Sequence, residues 1–100
     1  MMFFFHPEAS AELEAAVEYY ENCQPGLGLE FVQEVYSAIL RIIEYPAAWS
    51  PVSEHTRRCL TNRFPYGVIY QIKTDVLYIV AVANLRQRPD YWKERSKHIK

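Results

Sequence analysis

The sequence predicts an α+β fold in which a helical hairpin packs on a mostly antiparallel sheet of three to four strands. Two amphipathic helical stretches with a short break between them occupy the first half of the chain. The second half changes to strand-like alternation and contains a nearly continuous apolar run. The predicted order is β-α-α-β-β-β followed by a short C-terminal helix.

The first three elements are predicted from the N-terminal half. The apolar run Phe3–Phe5 ends at His6-Pro7 and predicts a strand. Pro7 suits the first turn of a helix, because its missing N–H has no partner there. The first helix is broken at 22–26, and Pro46 ends the second. The apolar stripes are Ala9, Leu13, Ala16, Val17 and Tyr20 in the first helix, and Phe31, Val35, Ala38, Ile39 and Ile42 in the second.

The remaining elements follow from a change of period. Residues 46–56 contain two prolines and no clear period, which predicts a loop. The apolar run near the C-terminus predicts a central strand covered on both faces. The predicted segments are strands over Arg58–Asn62, Tyr66–Lys73 and Val76–Ala83, a turn at 73–75, and a helical turn from Pro89 through Lys93.

Length and composition predict one domain over residues 1–100, in which half the residues are hydrophobic. Cys23 and Cys59 share no CxxC spacing, and free thiols are favoured over a disulfide. The three histidines are scattered, so we expect no metal site and no cofactor. The start of the chain lacks a basic segment, and no stretch is long enough to span a membrane, so we expect a cytoplasmic protein.

Charge divides the chain into two halves. Residues 1–56 contain one arginine and nine glutamates, a net charge of −8, whereas residues 57–100 carry a net charge of +7. Such a division predicts an acidic and a basic flank, and the basic flank is a candidate contact for an anionic partner. The alternative is that the fold merely segregates solvated charge.

Arginines and aromatic residues are the candidate binding groups. If the second, third and fourth predicted strands are neighbours, the arginines around them can converge near one sheet edge and bind phosphate oxygens. Nearby aromatic rings could stack on nucleobases. The candidates are Arg57, Arg58, Arg63, Arg86, Arg88, Tyr66, Tyr91 and Trp92. Alternatively, Arg57 and Arg58 pair with glutamates of the helices, and Tyr91 and Trp92 anchor the C-terminal helix.

Catalytic groups are fewer than binding groups. Hydrolysis or transesterification of RNA needs a base, an acid and stabilisation of the developing charge. The serines lack a Ser-His-Asp context, the helix glutamates have the spacing of solvated faces, His55 is predicted in a loop and His98 in a tail. The residues therefore favour anion binding over catalysis.

Four segments resemble toxins of the RelE/ParE superfamily, in order and at family spacing. They are FHPEASAELEAAVEYYE, GLGLEFVQEV, RRCLTNRFPYGVIYQI and LYIVAVANLRQRPDYWKER, and together they cover nearly the whole chain. The resemblance implies the same β-α-α-β-β-β fold. It also implies that the chain is the toxin of a type II toxin–antitoxin system, of the kind involved in plasmid stabilisation, and that it forms a hetero-oligomer with a cognate antitoxin.

Two mechanisms are known in this superfamily. ParE-like members block DNA gyrase, whereas RelE-like members are metal-independent, ribosome-dependent mRNA endonucleases. If the chain is an endoribonuclease, the resemblance implies Arg63, Arg86 and Tyr91 as catalytic residues. Under either mechanism, the residues expected to bind the target or RNA are Arg57, Arg58, Arg63, Arg86, Arg88 and Trp92.

Two departures from the RelE pattern favour the gyrase mechanism. Arginines stand at positions 57 and 58, where endonucleases often carry lysines on this strand, and arginine is a poor general base. Asn84 stands where many relatives have a histidine. In either case, an antitoxin segment rich in acidic and apolar residues is expected to cover the arginines or to replace the C-terminal helix.

Overall fold

Five strands form one sheet in the computed structural model, which describes residues 1–97; residues 98–100, including His98, lie outside the described part. In chain order the elements are β1 Met2–Phe5, α1 Pro7–Cys23, α2 Leu27–Glu44, β2 Ser50–Pro51, β3 Arg57–Leu60, β4 Tyr66–Lys73, β5 Val76–Asn84 and α3 Lys93–Ser96.

The strands lie in the order β1-β5-β4-β3-β2. Among residues 1–97, β1 and β5 pair in parallel and every other strand pair is antiparallel, so the predicted α+β architecture is confirmed. The sheet has one strand more than predicted, because β2 lies in the segment expected to be a loop. A strand of two residues has no period to detect, and Pro51 is tolerated at the sheet edge because an edge N–H is not needed for the ladder.

The helical hairpin closes tightly through Glu21. Its carboxylate accepts hydrogen bonds from the N–H groups of Gly26 and Gly28 at 3.0 and 3.1 Å, which satisfies donors at the start of α2. A Cβ atom at Gly28 would lie 2.8 Å from the carbonyl oxygen of Val17. Glycine at position 28 therefore allows the two helix backbones to approach.

One face of the sheet packs against the hairpin. The predicted stripe of α2 is fully buried, whereas α1 contributes buried alanines and half-buried larger side chains. Tyr20, Phe31, Phe64 and Tyr66 form an aromatic cluster with ring centroids 4.7 to 6.2 Å apart. This cluster fixes the β3–β4 connection against the helices.

The other face, called here the outer face, is covered by the C-terminal segment. Ala81 and Ile79 pair with Ile69 and Tyr70, which are successive residues of β4. Val80 is therefore an extra residue, a β-bulge, and the alternation of β5 side chains between the two faces of the sheet shifts at this point. Ile69, Val80, Ala81, Ala83 and Trp92 form a second apolar cluster there. Strand β5 is therefore covered on both faces, as predicted.

The C-terminal helix begins later than predicted. Helix α3 starts at Lys93, and the residues from Pro89 to Trp92 form turns. Asp90 has φ of 74°, a left-handed conformation that a helix cannot include. Among residues 1–97, no helix combines the length and apolar character that crossing a membrane requires.

Candidate functional site

Two loops meet at one end of the sheet and position most of the candidate arginines. They are the loop 61–65 between β3 and β4 and the segment 85–92 after β5. The N–H of Leu85 donates to the carbonyl oxygen of Pro65 at 2.8 Å and ties the loops together. The neighbouring strands predicted from the sequence therefore do bring distant parts of the chain to one place.

Arg86 and Arg88 follow β5 directly and are exposed. The N–H of Arg86 donates to Oδ1 of Asn84 at 2.9 Å, so the last side chain of the strand closes the turn. Within residues 1–97, neither arginine has a carboxylate oxygen within 4.0 Å of its side-chain nitrogens. Both charges are therefore available to a partner.

Arg58 reaches the same region from β3, across the outer face. It pairs with Ile69 of β4, whose side chain belongs to the outer apolar cluster. Its side chain crosses Gly67, where a Cβ atom would lie 2.9 Å from Cγ of Arg58. Together with Arg88 and Trp92 it lines a cavity of about 170 Å³. Arg58, Arg86 and Arg88 are called the unpaired arginines below.

Arg57 does not join them. It pairs with Tyr70, whose ring belongs to the core on the helix side of the sheet. Its Nη1 donates to the carbonyl oxygen of Trp49 at 2.7 Å. Adjacent residues of a strand face opposite sides, so the expected convergence of all five arginines was wrong for Arg57.

Arg63 lies in the β3–β4 loop but is already neutralised. Its Nη1 forms an ion pair with the Glu30 carboxylate of α2. The N–H groups of Asn62 and Arg63 both donate to Glu34, at 2.7 and 3.1 Å. The helix glutamates therefore pair with Arg63, and neither Arg57 nor Arg58 pairs with them, which corrects the alternative interpretation of those two residues.

Tyr91 is held by a polar cluster at the edge of β5. Its hydroxyl donates to Glu12 at 2.7 Å, and Nη1 and Nη2 of Arg95 donate to the same carboxylate at 3.0 and 2.9 Å. Strand β1 pairs with β5 only as far as Ile79, so the β5 edge beyond it lacks a strand partner on that side. Glu12 accepts from the N–H of Val82 at 3.0 Å and so satisfies part of this edge.

The surroundings of Tyr91 make its hydroxyl hard to ionise. Burial raises the pKa of the Tyr91 phenol, and the hydrogen bond to Glu12 raises it further. Arg95 also lies over the ring, with Cζ 5.1 Å from the centroid. Tyr91 thus joins the C-terminal segment to α1 through Glu12.

Trp92 is a core residue in this conformation. Its exposed fraction is 4%, and it packs in the outer apolar cluster with Ile69 and Val80. Trp92 therefore anchors the C-terminal segment to the sheet, as the alternative interpretation expected. Its ring is not accessible for stacking on a base while that segment is in place.

Neither of the two histidines that the structure describes lines the cavity shared by Arg58 and Arg88. Nδ1 of His6 accepts from the N–H of Glu8 at 3.1 Å and caps α1. His55 is exposed in the β2–β3 loop, with Nε2 3.8 Å from Glu54. The arrangement among residues 1–97 can therefore bind an anion, but it does not place an imidazole beside one.

Comparison with known proteins identifies the family. A family model described as "ParE toxin of type II toxin-antitoxin system, parDE" matches residues 3–89. The chain belongs to the ParE toxin family. A comparison with curated protein sequences finds no significant match.

A solved structure has the same fold as this ParE family member. It is described as "Chromosomal ParDE TA system from P. aeruginosa" and is similar with a TM-score of 0.74 and 18% sequence identity. The match covers 86% of this chain and 97% of the other. At this identity the likeness concerns the fold.

Three residues that shape the site were missed at the level of sequence. Glu12 was assigned to a solvated helix face, and Arg95 was not singled out; both prove to be half-buried partners. Gly67 lies within the predicted strand Tyr66–Lys73 and was given no role of its own. A glycine in a strand interior does signal close approach of other atoms, and that signal could have identified the path of Arg58.

Proposed function

We propose that this toxin inhibits growth by a ParE-like block of DNA gyrase and that its unpaired arginines contact the target. The carrying observation is that Arg63 and Tyr91, two of the three groups implied for mRNA cleavage, are each bound by a carboxylate of the protein itself. Arg63 has Glu30 as its counter-ion, and the Tyr91 hydroxyl donates a hydrogen bond to Glu12. Cleavage would require both groups to exchange these partners for RNA.

The charge that remains is suited to docking. Arg58, Arg86 and Arg88 have permanent charges and no carboxylate partner in the described chain. Basic groups of this kind steer association and fix the orientation of an anionic partner. We further propose that a cognate antitoxin neutralises the toxin in a hetero-oligomer and that acidic and apolar residues of the antitoxin cover this region.

Two assays on the same purified toxin test the proposal. In the first, gyrase supercoils relaxed plasmid with and without toxin. In the second, toxin is added to a reconstituted translation system and 5′ ends of the mRNA are mapped. We expect supercoiling to be blocked and the mRNA to remain intact.

The variants sharpen the comparison. Arg86→Gln should weaken gyrase inhibition, whereas Lys73→Gln should not. Lys73 is exposed at the opposite end of β4, so its replacement makes the same change in net charge away from the proposed surface. New mRNA ends within the ribosomal A site, dependent on Arg86, would instead establish a RelE-like endonuclease.

A further inference from the structure

Arg58 is a half-buried cation without an anion. Its Nε is buried and has no hydrogen-bond acceptor, and the residues described by the structure place no carboxylate beside its guanidinium. A buried polar group normally has a partner, and an unpaired charge is costlier to bury than a neutral group. Among residues 1–97 the guanidinium therefore lacks the counter-charge that a half-buried cation normally has, although Arg58 lines a cavity that is open to a ligand.

The backbone is built to hold Arg58 in this place. Its Cγ and Cδ would lie 2.9 and 3.0 Å from a Cβ atom at Gly67, so any larger residue there would displace the side chain. Pairing of Arg58 with Ile69 directs it to the outer face of the sheet. The guanidinium is thus carried into the cavity beneath the segment 85–92 and is not left in open solvent.

The cavity around Arg58 has two cationic residues, Arg58 and Arg88, in a mainly apolar wall. The apolar part of the lining is contributed by Val52, Ile69, Ala83, Leu85 and Trp92. Of the described residues, Asp90 is the one carboxylate residue in the lining, and its Oδ2 is 3.5 Å from the ammonium of Lys93. An occupant that fits these walls has an aliphatic stem and a terminal anion.

The volume of the cavity limits which kind of anion it can bind. The cavity measures about 170 Å³, below the roughly 300 Å³ at which small-molecule sites begin. It is therefore suited to a single side chain and is small for a nucleotide. A carboxylate can accept two parallel hydrogen bonds from a guanidinium, which is the bidentate geometry that the planar arginine side chain favours.

We propose that this cavity is a binding site for one glutamate or aspartate side chain of a bound polypeptide, with Arg58 as the specificity-determining residue. The inference rests on the part of the proposed function in which an antitoxin covers this region, and it does not depend on gyrase. Arg88, at the rim of the same cavity, extends the positive charge toward the neighbouring residues of that polypeptide.

The test measures the affinity of the purified cognate antitoxin for four toxins: wild type, Arg58→Gln, Arg58→Lys and Lys73→Gln. Truncating one partner of a buried charge pair is expected to weaken binding about tenfold or more, so Arg58→Gln should show this loss. Arg58→Lys keeps the charge but not the planar fork and should lie between Arg58→Gln and wild type. Lys73→Gln should bind like wild type, and melting curves confirm that each variant is folded.

A second measurement locates the partner carboxylate. Each acidic residue of the antitoxin is replaced by its amide and combined with Arg58→Gln. We expect a single position to be non-additive with Arg58→Gln, as in a direct contact.

Three results would overturn the proposal. One is equal affinity of Arg58→Gln and Lys73→Gln, and another is additivity at every acidic position. The third is that single-stranded RNA displaces the antitoxin from the wild-type toxin but not from Arg58→Gln, which would make the cavity a phosphate site. If the wild-type toxin does not inhibit gyrase, in contrast, the gyrase proposal is wrong and the proposal for this cavity is unaffected.

Discussion

Replacement of Glu12 by glutamine should destabilise the toxin strongly. The carboxylate accepts from the Val82 N–H, the Tyr91 hydroxyl and two nitrogens of Arg95, at 2.7 to 3.0 Å. The side chains of Glu12 and Arg95 are only 22% and 11% exposed. Breaking a buried pair costs about 3–5 kcal/mol, and hydrogen bonds to charged groups contribute about 1.5–3 kcal/mol each.

The magnitude for Glu12→Gln lies below the full cost of breaking a buried pair. Glutamine keeps one carbonyl oxygen, and Arg95 retains Glu8 at 3.2 Å, although Glu8 is mostly exposed. We expect the free energy of unfolding to fall by about 2–3 kcal/mol. A domain of this size melts about 4–8 °C lower per kcal/mol, which gives a decrease in Tm of roughly 10–20 °C.

Urea denaturation followed by far-UV circular dichroism measures this effect. The matched control is Glu14→Gln, which makes the same chemical change on the same helix at an exposed side chain. It should unfold within about 0.5 kcal/mol of wild type, as surface substitutions usually do. Equal stabilities of Glu12→Gln and Glu14→Gln would refute the role of Glu12 at the β5 edge.

Three further predictions concern the core, the hairpin and the loop. Tyr70 donates to the Pro46 carbonyl oxygen at 2.6 Å, and burial raises its pKa to about 12. Because the unfolded phenol ionises first, near pH 10, stability present below pH 10 is lost as the pH rises from 10 to 12, by up to about 1.4 kcal/mol per pH unit. Tyr70→Phe should lower the free energy of unfolding by about 1 kcal/mol at pH 7. It should also make the fall of that free energy above pH 10 shallower in urea titrations, and an unchanged fall would show that Tyr70 does not cause it. Gly28→Ala should lower the unfolding free energy by about 1–3 kcal/mol, because its Cβ would meet the Val17 carbonyl oxygen, and an unaltered urea midpoint would show that the helices can separate freely. Arg63→Gln, which removes an exposed ion pair, should leave both the urea midpoint and growth inhibition close to wild type; loss of toxicity at normal stability would revive a direct role for Arg63.

The fold was largely predictable because its long elements have clear periods. The apolar stripes of α1 and α2 and the strands β4 and β5 needed only local alternation, and their connections were short. What escaped prediction lacked a local signal. Strand β2 has two residues, the extra residue Val80 arises from strand pairing, and the late start of α3 depends on the left-handed conformation of Asp90.

The site was less predictable because it depends on faces and edges. Strand alternation alone already implied that Arg57 and Arg58 face opposite sides, and the expectation that both would converge overlooked it. Glu12 is different, since its helix spacing is that of a solvated residue. It becomes half-buried because β5 extends beyond β1 and leaves backbone groups without a strand partner on that side. Glu12 accepts a hydrogen bond from the Val82 N–H, and Arg95 donates one to the Val80 carbonyl oxygen at 3.2 Å.

The basic residues of the second half of the chain fall into two groups in the structure. One group joins the two halves internally, since Arg63 pairs with Glu30 and Arg95 pairs with Glu12. These cations are neutralised by the helices and have little charge left for a partner. The unpaired arginines, in contrast, have no carboxylate partner among the described residues, and they lie at or beside the segment that follows β5. A partner that recognises this toxin by charge should therefore be sensitive to the unpaired arginines and indifferent to the internal pairs, because long-range attraction follows the charge that is not already compensated.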